Sequence, residues 1–179
     1  MAGKMPYLVG HSEIASLFGV ERQTSQKWRT DGVLDDPDLI ASGNPYWLLG
    51  TVLRLDGYNG REITPERLAL YEAAIPGGYR PEDPADLPAI VGSKEAALIL
   101  GTNEAAIARW RHRNRIADAD LRLSGSPLWL LETLLADAEA RSRPVNTGEV
   151  ERLRAGQRAA QKPRGRKATT PSSDVSSDS

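Results

Sequence analysis

Side chains able to do chemistry are few in this chain and nearly all of one kind. Cysteine is absent and the two histidines, His11 and His112, sit in no cluster of metal ligands; disulfides and thiolate metal sites are therefore excluded. No nucleophile and base fall at a recognisable catalytic spacing, and there is no glycine-rich phosphate loop. What remains is cations and amides. Arg22, Gln23, Thr24, Gln26, Lys27 and Arg29 crowd into one short stretch; Arg109, Arg111, Arg113 and Arg115 alternate along another, with Arg122 a few residues on; Arg164 and Arg166 lie in Lys162-Pro163-Arg164-Gly165-Arg166-Lys167. Guanidinium and ammonium groups donate to anions, and amides both donate and accept. This is the chemistry of reversible polar recognition. It leads us to expect a chain that is not an enzyme and that uses no cofactor or metal.

The elements that must carry these groups come in duplicate. From Pro6 to Leu53, 19 of 48 positions recur as the same residue type 82 places later, from Pro88 to Leu135. All four tryptophans, Trp28, Trp47, Trp110 and Trp129, are among them. In the first copy, Ser12 is placed to cap a helix, with Ile14, Leu17 and Phe18 at helical spacing, and Gly19 ends it. A second helical stretch runs from about Arg22 to Thr30. Ala15 is small enough to let the two helices cross closely, and Val20 can plug the gap between them. Helix, glycine-containing turn and second helix is the order of a helix-turn-helix. Ala97, Leu100, Gly101, Thr102, Ile107 and Trp110 repeat it, except that Ser25 stands where Ile107 fills an apolar slot. Helical periodicity then stops. Leu39 to Trp47, and Leu121 to Trp129, read as two short strands around a Ser-Gly turn. A third helix closes each copy, Leu48 to Leu55 and Leu130 to about Ala140.

The pattern VG-x-x-E-x-A…G…W-R…D-x-D-L…S-G-x-P-x-W-L-L, carried by Val9 to Leu49 and again by Val91 to Leu131, resembles the winged helix-turn-helix of the MerR and excisionase superfamily of bacteria and phages. The resemblance implies a mainly α fold with small β wings. It makes residues 6–57 and 88–140 two tandem winged units, joined by a Pro-rich, helix-containing linker (58–87) and followed by a basic, Ser-rich, largely disordered tail (141–179). It also implies sequence-specific binding of double-stranded DNA, as a transcriptional regulator or an excisionase-type architectural factor. The second helix would lie in the major groove and the wing would touch the backbone. Groove geometry then assigns roles. Arg22 would read guanine and Gln23 or Gln26 adenine, flanked by Thr24, Lys27 and Arg29. The matching positions of the second copy, Glu104, Ala105, Ala106 and Ala108, offer little to a base. That copy is expected to grip backbone through Arg109, Arg111, Arg113, Arg115 and Arg122.

Charge and composition set bounds on this reading. Residues 1–60 carry 5 basic and 7 acidic side chains, whereas residues 145–179 carry 7 and 4; positive charge gathers towards the C-terminus, as in an anion-binding tail. Arg164-Gly165-Arg166 is similar to the core of an AT-hook, with Lys167 where that motif usually has proline. An arbitrary basic tail is an equally good description. The tryptophans read as core, Arg29 and Arg111 equally as braces of a helix end, and Asp36, Asp38, Asp118 and Asp120 as turn-capping acids. Thr64-Pro65-Glu66 starts a helix to about Ala74, and a basic helix is expected from about Val150 to Ala160. The acidic first copy leaves a second reading open, a scaffold or assembly protein with protein partners, of phage small-terminase type. Self-association is compatible with both. No apolar run approaches the ~18 residues of a membrane span, no small-molecule substrate is implied, and a cytoplasmic protein is expected.

Overall fold

A computed structural model describes residues 4–158. Among them are eight α-helices and two small three-stranded antiparallel sheets. The first unit comprises β1 (Leu8–Val9), α1 (His11–Phe18), α2 (Arg22–Thr30), β2 (Leu39–Ala41), β3 (Asn44–Leu48), α3 (Leu49–Leu53) and α4 (Pro65–Ala73). The second repeats the order as β4 (Ile90–Val91), α5 (Ser93–Ile99), α6 (Glu104–His112), β5 (Leu121–Leu123), β6 (Ser126–Leu130), α7 (Leu131–Ala140) and α8 (Thr147–Arg154). The central strands are β3 and β6, in the orders β1-β3-β2 and β4-β6-β5. The two-residue strands β1 and β4 escape periodicity analysis because they are too short to alternate visibly.

The helix pair forms for the expected reason, with one difference at its start. Gly10, not Ser12, is the N-cap of α1, and Glu13 reaches back to accept the Gly10 N–H at 3.2 Å. Gly19 takes the left-handed conformation (φ 65°), which lets the Val20 N–H close the turn on the Ala15 carbonyl at 2.9 Å. Gly101 (φ 64°) and Thr102 do the same on Ala97, also at 2.9 Å. Asp38 does not act as a local turn cap. Its Oδ2 accepts from the Leu48 N–H at 2.8 Å and the Thr51 hydroxyl at 2.9 Å, tying strand to closing helix. Asp120 accepts the Leu130 N–H in the same way at 2.8 Å.

Each unit carries its own core between the helices and one face of its sheet. Trp47 is fully buried and donates its indole N–H to the Asp35 carbonyl at 2.8 Å; Trp129 does the same to Ala117 at 2.9 Å. Trp28 is wedged edge-on between Phe18 and Tyr58. Trp110, only half-buried, is covered by the Arg143 guanidinium 4.1 Å above its ring.

The segments beyond 57 and 140 complete these cores. Ile63, Leu68 and Tyr71 pack into the first, and Val145, Val150 and Leu153, each 82 positions on, pack into the second. Thus α4 lies on α1 and α8 on α5. The stretch 141–158 is therefore ordered, not part of a disordered tail, and its helix starts at Thr147 with Asn146 as cap.

The opposite faces of the two sheets meet. Leu8, Ala41, Tyr46 and Leu48 share one apolar cluster with Ile90, Leu123, Leu128 and Leu130. Alternation along the strands explains this: Leu8 and Leu48 face the other unit, while Val9 and Trp47 face their own helices. The order of layers is helices, sheet, sheet, helices.

Candidate nucleic-acid interface

The residues expected to read bases sit on α2. Only Ser25 and Trp28 are buried there, so a narrow stripe holds the helix and the rest faces outward. Arg22, Gln23 and Lys27 are exposed, and Thr24 and Gln26 are half-buried. Ser25 is accounted for by a partner 14 residues away. It lies 2.7 Å from the ring Nδ1 of His11, which is itself buried with its ring against Trp47. In the second unit the corresponding pair is Ser93 and Ile107, the latter fully buried. A buried polar pair in one unit thus occupies the slot that an apolar side chain fills in the other.

The two second helices differ in how their charges are neutralised. On α2, Lys27 pairs with Asp31 at 3.4 Å and Arg29 with Asp36 at 3.1 Å. Arg29 is half-buried, so it braces the helix against the turn before β2. On α6 the Asn103 side chain caps the Ala106 N–H at 2.9 Å and Glu104 opens the first turn. Basic side chains crowd the last turn and the residues after it. Arg109, Arg113 and Arg115 are exposed, as is Arg122 on β5, and none of the four enters an ion pair among the described residues.

Arg111 is half-buried with its guanidinium 5.9 Å from the Trp129 ring centroid. Its pKa is lowered from the ordinary arginine value, chiefly by burial and then by the nearby Arg122 guanidinium, with Asp118 opposing. Arginine stays protonated regardless, so two cations are held close together here. The first unit has Ile40 in place of Arg122. Arg164 and Arg166 lie outside the described residues.

The hairpin tips are where the structure departs from the expected wing. Ser42 (φ 52°) and Gly43 (φ 75°) both take positive φ, as do Ser124 (48°) and Gly125 (78°), the two-residue turn whose twist suits a tight hairpin. Each tip docks on the first helix of the other unit. The Glu95 carboxylate accepts the Ser42 N–H at 2.8 and 2.9 Å and its hydroxyl at 3.1 Å; Glu13 accepts the Ser124 N–H and its hydroxyl. The serine hydroxyls in turn accept from the N–H groups of Lys94, at 2.8 Å, and Ser12, at 3.2 Å. A Cβ on Gly10 or Gly92 would run into the opposing serine. The tip serines are thus engaged with protein, while Asn44 and Gly125 beside them stay exposed. Recurrence of Gly10, Glu13, Ser42 and Gly43 marked these residues in the sequence, but nothing there said that they join one copy to the other.

Arg158, at the end of the described chain, closes the same seam. Its guanidinium donates to the carbonyls of Ile40 and Ile90 and lies 3.9 Å from Glu95. Burial lowers its pKa and Glu95 opposes this.

Tyr46, 1% exposed, sits between the two latches. Its hydroxyl has no hydrogen bond of good geometry among the described residues. Its pKa is pushed up to about 12, mainly by burial; the Ser126 and Asn44 side chains oppose the rise, and the Glu13 and Glu95 carboxylates add to it. The unfolded chain loses this proton near pH 10 and the folded chain near pH 12. Stability is therefore undiminished below about pH 10 and falls as pH rises to about 12, by about 3 kcal/mol for this group. Tyr46→Phe is expected to leave neutral stability within about 1 kcal/mol and to soften this alkaline loss. Denaturant melts across pH 8 to 12 check it; an unchanged loss would show that the titration lies elsewhere.

No known protein family, curated protein or solved structure matches the chain. Among the described residues, no cluster of three metal-ligating side chains occurs and no helix is long and apolar enough to cross a membrane.

Proposed function

We propose that this chain is a double-stranded DNA-binding protein made of two winged helix-turn-helix units, acting by occupancy as a transcriptional regulator or an excisionase-type architectural factor. The observation that carries this is the set of exposed, unpaired arginines Arg109, Arg113, Arg115 and Arg122 around α6. Arginines without an internal counterion are suited to phosphates, whose neutralisation releases condensed cations. The exposed Arg22, Gln23 and Lys27 on α2 supply what base reading needs. With both tip serines engaged between the units, contact falls to α2, α6 and the Arg122 strand.

The test is duplex binding by fluorescence anisotropy over a range of salt. Log affinity is expected to fall linearly with log salt; no binding of the full chain at low salt rejects the reading. Arg22→Ala is expected to relax sequence preference by about 1–3 kcal/mol, whereas Arg109→Ala weakens all duplexes alike. Equal, sequence-independent losses in both variants would refute the division between a reading unit and a gripping unit. The ion pairs of Lys27 and Arg29 favour a second reading, a scaffold whose first unit meets protein. A stable higher oligomer by light scattering, with weak duplex affinity, would support it instead.

A further inference from the structure

The contacts between the units are reciprocal. Glu13 holds Ser124, and Glu95 holds Ser42; exchanging the two units turns one pair into the other, since Glu95 is the equivalent of Glu13 and Ser124 that of Ser42. Ser12 donates to the Ser124 hydroxyl, and Lys94 donates to that of Ser42. Asn44 donates to Ser126, its own equivalent, at 3.5 Å. Units related by translation would show one kind of surface meeting another. The same patch meeting itself, with one residue touching its own counterpart, requires an approximate two-fold axis, here passing near Asn44 and Ser126. A direct repeat in sequence is thus a dyad in space.

From this we infer that the chain is a pre-assembled pseudo-dimer whose duplex site has inverted halves, one read by α2 and the other gripped by α6. The inference rests on the DNA-binding reading above. The layers support it. Stacked sheets lie about 10 Å apart and a helix with its side chains is about 10 Å across, so helices on the two outer faces stand on the order of 30 Å from each other. This is close to one turn of B-form DNA, about 34 Å, the spacing at which two recognition helices reach successive major grooves. A two-fold axis reverses strand polarity, so helices related by it meet their half-sites head to head. No second chain is needed, and the halves are free to differ, as the Gln-bearing α2 and the alanine-rich α6 do.

Because α6 presents little to a base, the wild-type chain barely distinguishes the orientation of its second half-site, and the test restores that ability. The variant Glu104→Arg, Ala105→Gln, Ala108→Gln, Arg109→Lys copies the outward residues of α2 onto four exposed positions of α6. With the first half-site taken from a selection among random duplexes, the variant is expected to prefer two inverted copies over two direct copies at equal spacing by about tenfold or more. Equal affinity, or preference for the direct order, overturns the inference. A second measurement does not depend on that variant. The chain lacks cysteine, so Gln23→Cys and Ala105→Cys each provide a unique tether for an iron chelate that cuts DNA. Cuts mirrored about one centre on opposite strands are expected; cuts repeated on the same strand overturn it. Absence of any duplex binding by the wild-type chain would instead remove the reading on which this rests.

Discussion

Glu95→Ala is expected to destabilise the folded chain by about 3–5 kcal/mol, the range for removing one partner from a buried charged cluster. Glu95 is 7% exposed, and its carboxylate serves the Ser42 backbone and hydroxyl, the Gly92 N–H at 3.1 Å, and the Arg158 guanidinium at 3.9 Å. Alanine takes the acceptor from the Ser42 and Gly92 donors and the counter-charge from Arg158, which is desolvated at the seam and keeps only the Ile40 and Ile90 carbonyls. Glu13→Ala is the internal comparison. Glu13 makes the same bonds to Ser124 and Gly10 but is half-buried and forms no ion pair among the described residues, so about 1–3 kcal/mol is expected, as for unsatisfied donors alone. Urea unfolding of the full chain measures both. Equal losses would show that Arg158 adds nothing at the seam. A Glu95→Ala loss below 1 kcal/mol would show that the hairpin tips do not hold the units together.

The latch explains why some of this fold is legible in the sequence and some is not. Helix pairs, hairpin and closing helix follow from short-range patterns: apolar spacing around Ile14 and Leu17, left-handed glycines, the Ser-Gly turn. The indole N–H bonds of Trp47 and Trp129 span only 12 residues, so each is made within its own copy. The fourth helix of each unit is less legible because its core positions repeat only as residue class. Ile63, Leu68 and Tyr71 correspond to Val145, Val150 and Leu153, apolar in both copies but identical in none; between Leu53 and the end of the described residues only Arg61/Arg143 and Ala73/Ala155 are identities, too sparse to extend the repeat, and the stretches read as linker and tail. One consequence is practical. A truncation meant to isolate the basic tail must retain residues through Arg158, since cutting at 140 removes Val150 and Leu153 from the second core.

The partner of each conserved residue was the other illegible quantity. Glu13 and Ser42 recur together, and a two-copy comparison reports that pairing equally whether it lies within a copy or between copies. Only the docking of one sheet on the other decides it. The same limit applied to the wing. A hairpin with apolar residues at Leu39, Ala41, Tyr46 and Leu48 has a face to bury, and burying it against its twin ties the tip serine to the other unit. Among the candidate binding residues, the arginines separate according to charge compensation. Asp36 was visible as a turn acid, but its reach to Arg29 depends on how α2 meets the turn.

That separation sets the largest expected change in binding. Replacing Arg109, Arg113, Arg115 and Arg122 together by alanine removes four exposed cations that balance no internal acid. If each meets a phosphate, the slope of log affinity against log salt loses about 0.9 per contact, roughly 3 to 4 in all, and the loss is the same for every duplex sequence. Arg29→Ala is the opposing case. Its charge is matched by Asp36 and its Nε is buried, so its loss is expected to appear in thermal stability while the salt slope stays within about one contact. Anisotropy titrations at several salt concentrations, with a melting curve for each variant, compare the two directly. A slope unchanged by the fourfold substitution would mean that the arginines of the second unit are solvated surface. A slope that collapses for Arg29→Ala would mean that its ion pair opens on binding, and that the first unit too grips the backbone.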